Sequence, residues 1–264
     1  MYKRQQLDVL YRLGAELEHE ASERSYRALF LESFQKYLVR SKGYALLKYE
    51  AVEMRNLKES SDLDILVTKD FEKDVLGYIK SLDWRVELEV VRKSYMSQLR
   101  MRFFDGSILF IDLIKEFRRK SFVFLNAQEV LDRGMKLPNG LIVPQPEHDF
   151  EYAFLFYNLN GTNIPEKYEG FFSKNGDFEH RIVSYINAKY LIIVNEYSEL
   201  FSLRKEARDW LKMIIGHNTR MNPASFIRSN VQYGLDTLRS FWKDSGFITV
   251  SYTHLTLPTK VTVL

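Results

Sequence analysis

The chain contains no cysteine, which excludes thiol catalysis, iron–sulfur clusters, disulfides and any metal site built on thiolates. Long apolar runs are missing too. The densest, Tyr190–Val194, is far short of the roughly 20 residues a membrane helix needs, and no charged-then-apolar signal segment opens the sequence. A cytoplasmic protein without membrane contact is expected. There is no internal repeat, no low-complexity linker and no Gly-x-x-x-x-Gly-Lys-Ser/Thr phosphate loop, so any kinase-like domain or partner has to lie outside these residues. His19, His148, His180 and His217 are scattered without a His-Glu-x-x-His spacing, which reads as surface or helix-end histidine.

What is present describes a soluble globular protein. Of 264 residues, 45% are apolar, 28% charged and 14% aromatic, enough for one large domain or two small ones with real cores. The formal charge is +3 and the pI about 8.8, values that invite a nucleic-acid partner. The source of that excess removes the invitation. MYKRQ at residues 1–5 and VSYTHLTLPT at 250–259 resemble translated sequencing-adapter ends, read from GTG-TAT-AAG-AGA-CAG and from the opposite strand of such an adapter. Residues 1–5 and 250–264 are therefore set aside as adapter artefacts, as expected of a bacterial, metagenomic fragment. They carry Lys3, Arg4 and Lys260 and no acid, so without them the excess vanishes. Net charge then gives no indication of nucleic-acid binding.

Apolar spacing organises the remainder. Leu7, Leu10, Leu13 and Leu17 predict an N-terminal helix within residues 6–24, and Leu29, Phe30, Phe34 and Leu38 a second over Ser25–Ser41 that Gly43 ends. Strand-like runs follow at Tyr44–Tyr49, Leu63–Val67 and Arg85–Val91, with a helix from about Phe71 to Leu82 between the last two. SQLRMRFF, Asp105-Gly106 and SILFIDLI predict a two-residue hairpin. Beyond Pro144 and Pro146 the pattern is helical. Glu147–Leu159 forms one helix, Asp177 caps another containing Ile182, Tyr185, Leu191 and Ile192, and Asn222-Pro223 opens a last one that Gly246 closes. The expectation is an α+β protein with a mixed-sheet domain at 25–146 and an all-helical domain at 147–249. The Tyr and Phe residues of the second half recur at helical spacing, as core residues do.

The chemistry concentrates on three carboxylates. Asp62 and Asp64 in SSDLDILV are two residues apart at a strand start, so they share a face while Leu63, Ile65 and Val67 take the other. Asp112 interrupts an apolar strand, where a charge is costly unless paired or metal-bound. Three hard oxygen donors on one sheet surface suit Mg²⁺ and phosphoryl transfer.

The order strand (YALLKY), loop, Asp-x-Asp strand (SSDLDILV), helix, strand, then an isolated Asp on a later strand (LFIDLI) resembles the nucleotidyltransferase superfamily related to DNA polymerase β. More narrowly, Tyr44 to about Glu151, with RFFDGSILFIDLI and VPQPE, resembles uncharacterised bacterial nucleotidyltransferase-like proteins. Some of these occur in surface-polysaccharide gene clusters or beside thymidylate-kinase-like domains. The resemblance implies that Asp62 and Asp64 bind Mg²⁺, that Asp112 completes the catalytic site, and that an NTP donates its nucleotidyl group to a hydroxyl acceptor. Superfamily members usually carry Gly-Ser after the first strand; here the stretch KYEAVEMRNLKES has none. Lys48, Ser60 and Ser61 are the candidate nucleotide ligands, with Arg55 and Lys58 also in reach.

A two-residue turn at Asp105-Gly106 would pair Leu99 with Asp112 and turn Arg100 and Arg102 away from the site, unless a bulge shifts the register. Two other functions share these motifs: a catalytically degenerate nucleotidyltransferase-like binding module, and a glycosyltransferase using Asp-x-Asp to hold a metal-bound nucleotide sugar.

Overall fold

The computed structural model describes residues 25–51, 53–82, 87–173 and 177–242. Both suspected adapter segments, the expected N-terminal helix, Gly246 and the first two residues of the expected 85–91 strand lie outside them.

Helix α1 (Tyr26–Val39) begins where the Ser25 hydroxyl accepts from the Ala28 N–H. Phe30, Leu31, Phe34 and Leu38 are fully buried along one face, each worth roughly 1.5–3 kcal/mol of removed apolar surface. Gly43, at φ +81°, turns the chain into β1 (Tyr44–Leu46). β2 (Leu63–Val67) is followed by α2 (Lys69–Ser81), which the Thr68 hydroxyl caps at Phe71 N–H. β3 (Glu87–Arg92), β4 (Met96–Arg102) and β5 (Ile108–Ile114) complete a sheet ordered β1-β2-β5-β4-β3. Only β2 and β5 pair in parallel; the other neighbours are antiparallel. One face, carrying Leu63, Ile65, Ile111, Leu113, Leu99 and Met101, packs against Phe30, Phe34, Phe71 and Val75 of α1 and α2.

Two small hairpins, β6–β7 (Phe117–Arg119, Phe122–Leu125) and β8–β9 (Met135–Lys136, Ile142–Val143), flank α3 (Ala127–Asp132). From there the described elements are helical: α4 (Pro146–Leu159), α5 (Lys167–Phe172), α6 (Phe178–Tyr190), a 3₁₀ turn, α7 (Lys205–Arg220) and α8 (Pro223–Trp242). The fold is α+β, a mixed five-stranded sheet with eight α-helices among the described residues. The aromatic core of the helices, Phe150, Phe154, Phe172 and Phe178, is continuous with Ala45, Leu66 and Ile114 of the sheet. The helices thus cover one end of the sheet's second face and leave the other end open. Asp236 of α8 accepts from Ser94 N–H and Oγ at the β3–β4 turn. No helix among the described residues is long and apolar enough to cross a membrane.

Four expectations need correction. β1 stops at Leu46 because Lys48 adopts a left-handed conformation, φ +50°. The hairpin loop has three residues, since Phe103 N–H bonds Ser107 C=O, Gly106 N–H bonds Phe103 C=O, and only Gly106 has positive φ; this is a type I turn with a glycine bulge. α6 ends at Tyr190, where Leu191 turns left-handed at φ +51°, and the Asp177 side chain makes no cap bond. His148 is buried, its Nδ1 without a hydrogen-bond partner; His180 and His217 are exposed, as expected.

The Gly43 turn yields a direct test. A Cβ there would meet Thr68 Oγ1 at 3.0 Å and Cγ2 at 3.3 Å while adopting φ +81°. Gly43→Ala should lose about 1–3 kcal/mol, read as a lower urea midpoint with an unchanged m-value.

Candidate active site

β2 and β5 run side by side in a register that aligns Asp64 with Asp112, so the two carboxylates are neighbours on the sheet's second face. Asp62, two residues earlier, reaches the same face at the rim and keeps much of its surface in solvent. On the other side of β5, Gln98 of β4 pairs with Asp112 and donates to its Oδ1 at 3.3 Å. The bulged hairpin sets this pairing. It replaces the expected Leu99–Asp112 pair, brings Arg100 and Arg102 onto the carboxylate face, and sends Leu99 and Met101 into the core.

Lys48 is the nearest cation. Its Nζ lies 2.6 Å from Asp64 Oδ2, the two side chains 11% and 19% exposed. The turn that presents it is fixed from both sides. Leu47 N–H continues the ladder to Asp64 C=O, and Lys48 N–H is received by both carboxylate oxygens of Asp149, at 2.9 and 3.0 Å. Around the ammonium stand the rings of Tyr152, Tyr168 and Phe156, with centroids 5.4, 5.7 and 5.9 Å away. These faces stabilise a desolvated cation. Lys167 lies over the Tyr168 ring and adds positive potential on the same side of the cluster.

The loop between β1 and β2 is organised by Arg27. This guanidinium, on the buried face of α1, donates from Nη1 to Leu57 C=O and from Nη2 to Lys58 C=O, both at 2.8 Å, with Ser61 C=O at 3.5 Å. It gathers three carbonyls of the segment leading directly into Asp62. Ser60 is exposed in the turn, and Ser61 N–H is engaged with Lys58 C=O. Neither hydroxyl is among the described groups that touch the carboxylates. Arg55 pairs with Glu53 at 2.5 Å, and Lys58 is exposed.

The charges conflict, as proximity requires. Burial pushes the Asp112 carboxyl up to about 7, helped by Asp64 and opposed by the Gln98 hydrogen bond. Partial desolvation and then Asp64 raise Asp62, while Lys48 and Lys167 pull it back. Burial also takes Asp149 up to about 7, against the Lys48 N–H bond and the Lys48 charge. For Lys48, burial disfavours the ammonium, but Asp64 and the surrounding tyrosines outweigh it and hold its pKa well above the ordinary value.

A hard divalent cation fits the donor chemistry of this cluster: three carboxylates share one face, burial and then Asp64 raise the pKa of Asp112, and a cation already sits against Asp64. Among the described residues, however, no three His, Asp or Glu side chains are arranged to hold a metal ion. Asp64 faces Lys48 and Asp112 faces Gln98, so a metal would compete with both partners and draw Asp62 inward.

Sequence reasoning missed Arg27, Gln98, Asp149 and the aromatic rings around Lys48. Arg27 alone had a local signal, because a charge stood at i, i+3, i+4 and i+7 spacing with Phe30, Leu31 and Phe34.

Two outcomes are expected. Arg27→Met should lose about 2–4 kcal/mol by removing the buried guanidinium that holds three loop carbonyls together, and limited proteolysis should find residues 57–61 newly cleavable. The Asp149 carboxyl binds a proton in the folded state that the unfolded chain has released above its ordinary pKa of roughly 4. Its contribution to stability therefore falls as pH rises from about 4 to about 7. Asp149→Asn should flatten part of that decline, read from urea midpoints across this window in the presence of a chelator.

Compared with family models, curated proteins and solved structures, the chain matches none, so the functional argument rests on this geometry.

Proposed function

We propose that this chain is a Mg²⁺-dependent nucleotidyltransferase, with a nucleotidyltransferase-like sheet domain at 25–146 and a helical domain at 147–249, acting on an NTP and a hydroxyl acceptor. The observation that carries the reading is the parallel β2–β5 register, which sets Asp64 beside Asp112 on an accessible sheet face two residues after Asp62. Asp62, Asp64 and Asp112 are the residues that would hold Mg²⁺, whose bound charge would neutralise the triphosphate. Lys48 and Lys167 lie on the side of the cluster covered by the helices, where they would bind phosphate oxygens, with Ser60 and Ser61 at the rim as further candidates. Asp112 would also take the proton of the attacking hydroxyl. The acceptor oxygen bonds the α-phosphorus, the bond to pyrophosphate breaks, and the proton passes to Asp112.

A second reading, a catalytically degenerate binding module, draws on the Lys48–Asp64 ion pair. That contact occupies a carboxylate the reaction needs.

Titration calorimetry with each NTP and Mg²⁺ separates the two. Wild type should release heat with at least one NTP only when Mg²⁺ is present, and the Asp62→Asn/Asp64→Asn double variant should lose that response while keeping its circular dichroism spectrum. Asp112→Asn should still bind NTP. Absence of heat with every NTP, or an unaffected double variant, would overturn nucleotidyl transfer in favour of the binding module.

A further inference from the structure

The carboxylate face is electrostatically lopsided. On the side toward β1 and the helices it is lined by Lys48 and Lys167. On the other side it continues along β5 and β4 to an open surface, and the bulged hairpin decides what stands there. Phe110 lies two residues before Asp112 on the same strand face, about 7 Å along the strand, and is 44% exposed. Across from it is Arg100, whose guanidinium carbon sits 5.9 Å from the Phe110 ring centroid. Glu89 of β3 pairs in turn with Arg100. The Arg100–Glu89 separation is 3.9 Å, and the next pair outward, Arg102–Glu87, is at 3.8 Å. Both distances exceed hydrogen-bond length, which leaves donors and acceptors of each pair available to a ligand.

We propose that Phe110, Arg100 and Glu89 form an acceptor subsite that takes an uncharged sugar ring. The proposal rests on the nucleotidyltransferase reading for the identity of this end as the acceptor side, and on three features for the ligand class. First, the strip carries paired opposite charges, so it offers no net attraction to a phosphate; the cationic end beyond Asp64 does. Second, one exposed aromatic ring offers a platform for the apolar C–H face of a sugar. Third, a hydroxyl both donates and accepts, and a guanidinium beside a carboxylate supplies the complement of each at the ring's edge. A ring seated on Phe110 places a hydroxyl within reach of Asp112, the group assigned to receive its proton.

Saturation-transfer NMR with methyl pyranosides of the gluco, galacto, manno and N-acetylglucosamino series, and with uridine, tests this on the full chain. At least one pyranoside should be saturated. Its binding should weaken about tenfold in Phe110→Ala, recover in Phe110→Trp, and fall in Arg100→Gln and Glu89→Gln, while Mg²⁺-dependent NTP binding by these variants stays at the wild-type level. No pyranoside signal from a protein that binds NTP would overturn the subsite and leave the nucleotidyltransferase reading standing. Saturation by uridine alone would overturn the ligand class. Phe110-dependent pyranoside binding by a protein that binds no NTP would support the sugar site and overturn the transfer reaction instead.

Discussion

Asp64 and Asp112 stand side by side on adjacent parallel strands, and the repulsion between them sets what the rest of the molecule has to supply. The register that aligns them is fixed by burial on the opposite face. Leu63, Ile65, Ile111 and Leu113 are all at most 2% exposed, and a slip by one residue would exchange that apolar set for the carboxylates. Rearranging the sheet therefore offers no escape from the conflict. It is met locally, by raising the Asp112 pKa and by bringing Lys48 against Asp64.

Lys48 in turn ties the sheet to the helices. Its backbone is left-handed, which a residue with a Cβ adopts only when its surroundings overdetermine it. The Asp149 carboxylate supplies that constraint from the first turn of α4, while Tyr152 and Phe156, one and two turns further along the same helix, replace water around the ammonium. Three residues of one helix thus determine where a single cation stands. The continuity of the aromatic core with Leu66 and Ile114 serves the same end, because it holds α4 in place over the sheet.

The parts legible in the sequence are those with a local cause. The Asp-x-Asp strand, the interruption of an apolar run by Asp112, the helix starting near Ser25 and the helical pattern beyond Pro146 each follow from spacing within a few residues. The hairpin register was not legible. Asp-Gly suits both a two-residue turn with two positive φ angles and a three-residue turn with glycine at the bulge, and the choice reverses which face Arg100 and Arg102 occupy. The role of Asp149 could not be read either: an acid in a first helical turn already has a sufficient explanation in the helix dipole, and its partner is 101 residues away. The aromatic residues were read as core, which holds for Phe150, Phe154 and Phe178. It holds as well for Tyr152, buried against Phe117 and Phe124, and for Phe156 and Tyr168, packed on that core; what helical spacing does not show is that these three rings also face an ammonium.

Lys120 and Leu191 are also left-handed and His148 Nδ1 lacks a partner, but the electrostatic costs around the carboxylates gather at one place. Left-handed Lys48, the raised carboxyls of Asp112 and Asp149, and the partly desolvated Asp62 surround a single patch of sheet, whereas α1, α2 and the apolar sheet face agree with their local sequence preferences. A fold under selection for stability alone could relieve this patch with an apolar residue at Asp112, which stands between Ile111 and Leu113 in a strand that needs no charge. Keeping three carboxylates there requires both an ion pair and an aromatic enclosure drawn from another part of the chain. Such a concentration of electrostatic cost is a feature by which functional sites differ from their scaffolds. An excess of closely spaced negative charge is lowered by binding a cation, which is the physical ground on which the proposed Mg²⁺ would suit this patch.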